Sequence, residues 1–397
     1  MRNLRATAMT FLPAAVTALL LTSCAESTGA SGQSSQAPAG DGPIRIGAVL
    51  DITGAGAALG VAERKTLEML AEETNADGGI NGREVELIVE DNQSTEAAAA
   101  TAITKLINED NVDIVIGASR TGPSLAMRPI AESAQVPMIS LAANADIIDG
   151  SEWVFKTTHS DRLVLERMVE EIDARGWETI GLALDASGFG EGVEAYIQEL
   201  AAPRGIEVVA SEKFAPDATD FTAQMVNLRQ AGADVNIIWG IPPAAALAQQ
   251  AYRRLGLEAP VMHSFGIGSQ VFLDTAGPSA EGVLAALPKL LVVEQLPEDD
   301  PSKEVIMEFI AQYSAAYDGE KPNNFAGIAF DAYKIATAGL EEVGTDKAAL
   351  RDYIENVEGL HGVNGTFNIT PQDHAGLAKE DLQLVTVEGG TWKLAEG

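Results

Sequence analysis

Short apolar runs alternating with longer amphipathic segments, in two successive series, constrain this chain more than any other feature. Ile44-Arg45-Ile46-Gly47-Ala48-Val49-Leu50 has the length and composition of a buried strand, and the glycine turn Thr53-Gly54-Ala55-Gly56 follows it. From Ala57 to Asn75 inward positions recur at helical spacing (Leu59, Ala62, Thr66, Met69, Leu70), and Asp77-Gly78-Gly79 supplies the stop. Strands are expected next at 85–90, 112–116 and 137–140, helices at 94–108 and after Thr121, and a crossing segment at 153–157. The alternation then restarts, with helices at 161–175, 190–200, 221–230 and 244–255 and strands at 179–184, 208–214, 235–239 and 261–263. Parallel strands need helical crossovers, so the pattern predicts an α/β fold with two doubly wound parallel sheets. The tail is helical over 302–317, 325–343 and 347–356 and strand-like at 366–369 and 382–386. A chain that builds one lobe, then a second, and then returns links them by several crossings, a layout that can hinge.

The first 23 residues carry a different message. Arg2 and Arg5 precede an apolar stretch from Thr7 to Leu21, broken by Pro13 and followed by Thr22-Ser23-Cys24. This is the three-part order of a secretory signal, and its apolar part is shorter than the roughly 20 residues that span a bilayer. Leu21-Thr22-Ser23-Cys24 resembles the bacterial lipobox, which implies cleavage before Cys24 and a diacylglycerol on its thiol. An ordinary signal peptide with a chance cysteine is the alternative. Cys24 is the only cysteine, so stability rests on burial rather than on disulfides. Residues 25–42, rich in Ser, Gly, Ala and Pro, have no periodic apolar face and read as a flexible tether. No second long apolar run follows, so attachment to the membrane is expected through the lipid anchor only.

Charge and motif spacing exclude several classes. The chain has a net charge of −32, which repels phosphate backbones and anionic headgroups, so no nucleic acid partner is expected. Its four histidines (His159, His263, His361, His374) include no pair at metal-ligand spacing on a helix, and Glu298-Asp299-Asp300 lacks a calcium-loop pattern. Neither a metal nor a cofactor is expected. Gly54-x-Gly56-x-x-x-Gly60 after a strand, with Glu90 ending the next, leaves an exported nucleotide-dependent oxidoreductase as the enzymatic alternative. Ser119 lies in Gly117-Ala118-Ser119-Arg120-Thr121, which is not a nucleophile elbow. The expectation is a protein that is not an enzyme.

Several segments resemble the type I periplasmic binding proteins, specifically the leucine/isoleucine/valine-binding group. They are Ile46-Gly47-Ala48 through Asp51-Ile52-Thr53-Gly54 to Gly60, Asn75-Ala76-Asp77-Gly78-Gly79-Ile80-Asn81-Gly82-Arg83, Asp91-Asn92-Gln93-Ser94, Ile116-Gly117, Pro137-Met138-Ile139-Ser140, Phe189-Gly190-Glu191-Gly192 and Ala280-Glu281-Gly282. Trp153-Val154-Phe155-Lys156-Thr157 and Glu294-Gln295-Leu296-Pro297 are similar to its aromatic-acid-binding branch. The resemblance implies two lobes joined by three crossings, a ligand trapped in the cleft between them, and delivery to an ABC permease without covalent chemistry. On that pattern lobe one is 43–160 plus 291–361 and lobe two is 161–290 plus 362–397, after a leader (1–23) and a lipidated cysteine with its tether (24–42). A sensor that signals by closure, without transport, is compatible with the same features.

In open α/β sheets ligands bind beyond the carboxyl ends of the strands. Candidates therefore lie on Ala118-Ser119-Arg120-Thr121-Gly122 and Leu141-Ala142-Ala143-Asn144. In the resembled family these loops hold a ligand carboxylate through hydroxyls and backbone N–H groups, and the matching positions are Thr121, Ala142 and Asn144. Thr121 also begins a helix, where free N–H groups favour an anion. Helix capping is the plainer role for Thr121 and Asn144. Arg120, which stands where the family usually has an uncharged residue, either forks onto the carboxylate or extends into solvent.

The resembled amino-acid binders hold the ligand ammonium with an acid and tyrosines, at positions that read Phe265, Ile241 and Phe189 here. An ammonium buried without partners costs several kcal/mol. With Trp239 these residues favour a hydrophobic or aromatic carboxylate over a branched-chain amino acid. A shifted alignment would supply an acid from Asp185. His263, at a strand end, either donates to the ligand or bonds a neighbouring group.

Overall fold

The computed structural model describes residues 42–395, so the leader, Cys24 and nearly all of the tether lie outside the described residues. The first sheet comprises β1 (Ile44–Leu50), β2 (Val85–Asp91), β3 (Ile114–Gly117), β4 (Met138–Ser140) and β5 (Val154–Lys156) in the order β2-β1-β3-β4-β5. All its pairings are parallel. Helices α1 (Ala57–Ala76), α2 (Glu96–Asn108) and α3 (Thr121–Ala134) make the crossovers. Successive strand residues face opposite ways. Ile44, Ile46, Ala48 and Leu50 therefore enter one apolar core with α1, while Val49 enters the other with α2 and α3.

The second sheet is laid down by α4 (Asp161–Ala174), β6 (Thr179–Asp185), α5 (Val193–Ala201), β7 (Glu207–Phe214), α6 (Thr222–Ala231), β8 (Val235–Trp239), α7 (Ala244–Arg254), β9 (Val261–His263), α8 (Gln270–Ala276) and β10 (Leu284–Leu287). The tail then adds α9 (Lys303–Ala316), α10 (Asn324–Val343), α11 (Lys347–Glu355), the small pair β11 (Leu360–His361) and β12 (Thr366–Phe367), and finally β13 (Gln383–Glu388) and β14 (Thr391–Leu394). The order of the second sheet is β14-β13-β10-β9-β8-β6-β7. Among the described residues, no helix is long and apolar enough to cross a membrane.

The second sheet differs from the expected all-parallel pattern at one edge. β13 runs antiparallel to β10, and β14 runs antiparallel to β13. Gly389 and Gly390 turn that hairpin with φ of 57° and 75°, a left-handed pair that favours glycine in a two-residue turn. The tail also stays with the first core longer than residue 361. Val363, Phe367, Ile369 and Leu377 pack there, and Leu382 is the next residue to join the second core. Asp331 of α10 fixes this stretch by accepting from the Val363 and Asn364 amides at 2.7 and 2.9 Å. Three segments thus join the sheets: residues 157–160, those after β10, and residues 378–382.

Candidate functional site

A cavity lies where the strand ends of the two sheets meet. Loops after β3 and β4 supply Ser119, Arg120, Thr121, Leu141, Ala142 and Ala143, and those after β6, β8 and β9 supply Ser187, Phe189, Ile241, Phe265 and Gly266. Asp185, the last residue of β6, lines it too. Leu59 of α1, Thr158 of the first crossing and Phe325 and Ile328 of α10 complete the wall. The carboxyl-end rule thus holds in both sheets.

The first-lobe wall sets a group of tightly bonded polar side chains among the apolar Leu59, Leu141, Phe325 and Ile328. Ser124 Oγ meets Ser140 Oγ at 2.9 Å and donates to Ala118 O at 3.1 Å, which pins the loop before α3. The Ala142 amide donates to Ser140 Oγ at 3.2 Å, so that N–H is already committed. Arg120 does not extend into solvent: its guanidinium pairs with the fully buried Asp51 carboxylate and also donates to Ser94 O. Asn92 Nδ2 donates to the other Asp51 oxygen at 2.7 Å. Ser119 Oγ accepts the Asp51 amide at 3.0 Å and hydrogen-bonds Glu63 on its far side. Burial pushes the Glu63 carboxyl up to about 8, and the bond to Ser119 opposes the shift. Thr121 Oγ1, buried at the start of α3, has no hydrogen-bond partner among the described residues. An unpaired hydroxyl beside the first amides of a helix is suited to an anionic group.

The second-lobe wall is apolar apart from Asp185 and Ser187. Phe189 and Phe265 meet edge to face with centroids 5.9 Å apart, and Trp239 tilts against Phe189 at 5.3 Å. Asp185 Oδ1 accepts from the Ser187 amide at 2.7 Å. Burial raises the Asp185 pKa, opposed by the Ser187 hydrogen bonds and the more distant positive charge of Arg120. Gly188 brings this wall close to the first: a Cβ there would sit 3.1 Å from Thr121 Cγ2, and Asn144 Nδ2 donates to Gly188 O at 3.3 Å. The cleft is closed at that point.

Of the ten expected ligand-binding residues, Ser119, Arg120, Thr121, Ala142, Phe189, Ile241 and Phe265 line the cavity, and Asn144, Trp239 and His263 do not. Asn144 caps the following turn by accepting from the Asp146 amide at 2.8 Å, as well as bridging to Gly188. Trp239 is buried behind Phe189 and holds it by donating Nε1–H to Phe189 O at 2.9 Å. His263 turns the other way, into the second core, where Nε2 meets Gln249 Oε1 at 2.9 Å and the ring packs on Phe272. Burial pushes its pKa down to about 3, so it is neutral. Sequence reasoning missed Leu59, Thr158, Ser187, Gly266, Phe325 and Ile328. Phe325 and Ile328 follow the rest of the site by a long stretch of chain, and only their place on an apolar helix was readable.

The sequence pattern of the periplasmic binding protein family matches residues 43–391. A leucine-, isoleucine-, valine-, threonine- and alanine-binding protein of Pseudomonas aeruginosa is 26% identical over 311 residues, which are 76% of this chain and 79% of that one. An extracellular ligand-binding receptor from Rhodopseudomonas palustris HaA2 superposes with a TM-score of 0.85 at 27% identity, covering 89% of this chain and all of that one. A branched-chain amino acid transporter substrate-binding protein from Streptococcus pneumoniae, solved with isoleucine, shares the fold with a TM-score of 0.79 at 24% identity, covering 89% of this chain and 99% of that one. Two wound sheets closing on one cavity at their strand ends, together with a family match along nearly the whole described body, establish that the chain belongs to the periplasmic binding protein family.

Proposed function

We propose that this chain is the extracytoplasmic solute-binding lipoprotein of an ABC importer, tethered through Cys24, which captures a small hydrophobic carboxylate by closure of two lobes. The lobes are taken as 43–160 with 291–381 and 161–290 with 382–395, the second return moved to 382 by the packing of Val363, Phe367, Ile369 and Leu377. The observation that carries the reading is the Thr121 hydroxyl at the start of α3, buried without a hydrogen-bond partner among the described residues, on a residue that lines one cavity with Phe189, Ile241 and Phe265. A carboxylate at Thr121 and an apolar body against the aromatics would satisfy both walls. Contacts to both lobes favour the closed state, which a permease can recognise. A sensor without transport would use the same closure, and loss of solute uptake on deletion of the gene separates the two.

Two ligands fit, and Asp185 divides them. With Asp51 paired to Arg120 and Glu63 largely protonated near neutrality, Asp185 is the acid left facing the cavity without an ion pair among the described residues. A benzoate-like acid is compatible with a protonated Asp185, toward which burial pushes it. A branched-chain amino acid instead places its ammonium on ionised Asp185, and the relatives named for such ligands favour that alternative. Calorimetry with benzoate and with L-leucine decides: tight leucine binding rejects the aromatic-acid preference. In either case Thr121→Ala is expected to weaken binding by about 1–3 kcal/mol. Unchanged affinity would remove Thr121 from the site.

A further inference from the structure

The Ser119 hydroxyl has one proton to give and two lone pairs. One lone pair accepts the Asp51 amide at 3.0 Å, and the remaining bond joins Glu63, while the residue itself lines the cavity. If Glu63 is ionised, Ser119 must donate to it, and no donor is left for an anionic ligand. If Glu63 is protonated, the carboxyl donates and the Ser119 O–H is free to face the cavity. The other Glu63 oxygen, Oε1, is buried without a partner among the described residues, which suits a neutral acid better than a carboxylate. We propose that Glu63 is a positioning residue that turns the Ser119 hydroxyl toward the cavity by donating its proton to Ser119 Oγ, so that capture of an anionic group is coupled to a proton held in the first-lobe wall.

The surroundings keep that proton in place. Burial raises the Glu63 pKa to about 8, and the nearby Asp51 charge adds to the shift. Arg120 is spent on Asp51 and Ser94. On α10, which packs along α1, Asp331 is bonded to Val363 and Asn364, Tyr333 to Thr74, and Lys334 to His361 O. Asp185 lies on the opposite wall of the cavity. An ionised Glu63 would also repel a ligand carboxylate, so hydrogen bonding and charge act in the same direction.

The inference rests on the reading of the cavity as a carboxylate site, and two measurements separate their failures. The infrared difference spectrum of wild type minus Glu63→Gln should show a protonated-carboxyl stretch at pH 6.5 that titrates away near pH 8. Its absence at pH 6.5 overturns the inference and leaves the solute-binding reading intact. Benzoate and L-leucine are then titrated calorimetrically at pH 6.5 and 9. The probe that binds wild type should lose about tenfold in affinity at the higher pH, the loss expected when a proton must be taken up above a pKa of about 8. Glu63→Gln, which donates at both pH values, should show no such dependence, and neither should Ser119→Ala. A tenfold loss that persists in Glu63→Gln overturns the inference. If neither probe binds, the carboxylate reading fails. The infrared band then decides alone: a shift in Ser119→Ala upholds the Glu63–Ser119 bond, and no shift overturns it.

Discussion

The two lobes start alike and end differently. Each leading strand delivers a buried aspartate to the cleft, Asp51 just after β1 and Asp185 at the end of β6. Each aspartate is overlain by a glycine: an added Cβ would lie 2.3 Å from Asp51 O at Gly60 and 1.8 Å from Asp185 O at Gly190. The local geometry repeats, but the charge does not. Asp51 has Arg120 and Asn92, whereas Asp185 has the Ser187 amide and feels Arg120 only at longer range. The cation was placed in the lobe that also carries the polar loops. The opposite wall therefore combines aromatics with a lone acid, and the ligand's charge depends on how that acid is met. Counting apolar residues in the second wall, without its aspartate, gives half of the specificity.

The glycines test the repeat with the largest effect. Gly60→Ala and Gly190→Ala each push a methyl into strand-end backbone and are expected to cost about 3 kcal/mol, since overpacked backbone has no side chain to yield. Thermal unfolding should place Gly190→Ala lower, and a wild-type midpoint in either variant would break the symmetry. The aspartates come next. Asp51→Asn leaves the mostly buried Arg120 without its ion pair and should destabilise by ~2 kcal/mol, less than for a fully buried pair because Arg120 keeps some solvent. Asp185→Asn removes no ion pair and should change stability by less, while weakening leucine about tenfold or tightening benzoate. Equal destabilisation by the two would deny the difference in compensation.

The smallest effect is in pH. Glu63 and Asp331 have folded pKa values raised by burial to about 8 and about 7, so their stabilising contribution is present at low pH and lost as pH rises through those values. From pH 7 to 8.5 the loss should be on the order of 1 kcal/mol. Glu63→Gln should flatten most of it in denaturant titrations, and an unaltered slope would place the titrating group elsewhere.

The wound body was legible because β1, β2, β6 and β8 and their helices announce themselves by local periodicity. β10 did not: Leu284-Ala285-Ala286-Leu287 is too short and alanine-rich to stand out, and its strand character comes from pairing with β9 and β13. Within the site, Thr121 and Ser119 were readable from their place before a helix. Side-chain direction was not, and His263 shows why. A strand end lies near the cleft on either face, and whether the ring enters the cavity or the core is set by partners such as Gln249, on a different element. The Arg120 ion pair was hidden in the same way, because Asp51, its partner, lies far upstream in the chain.

The late return of the chain has a consequence for the order in which the molecule can be built. The first core waits for Phe325, Ile335, Phe367 and Leu377, and the second sheet, begun at Thr179, waits for β13 to cover β10. Neither lobe can complete itself from the residues made first, and such distant pairings form slowly. A nascent chain is thus kept from completing either lobe early. A chain cut short before Gln383 would present β10 as a bare sheet edge, open to pairing with its neighbours.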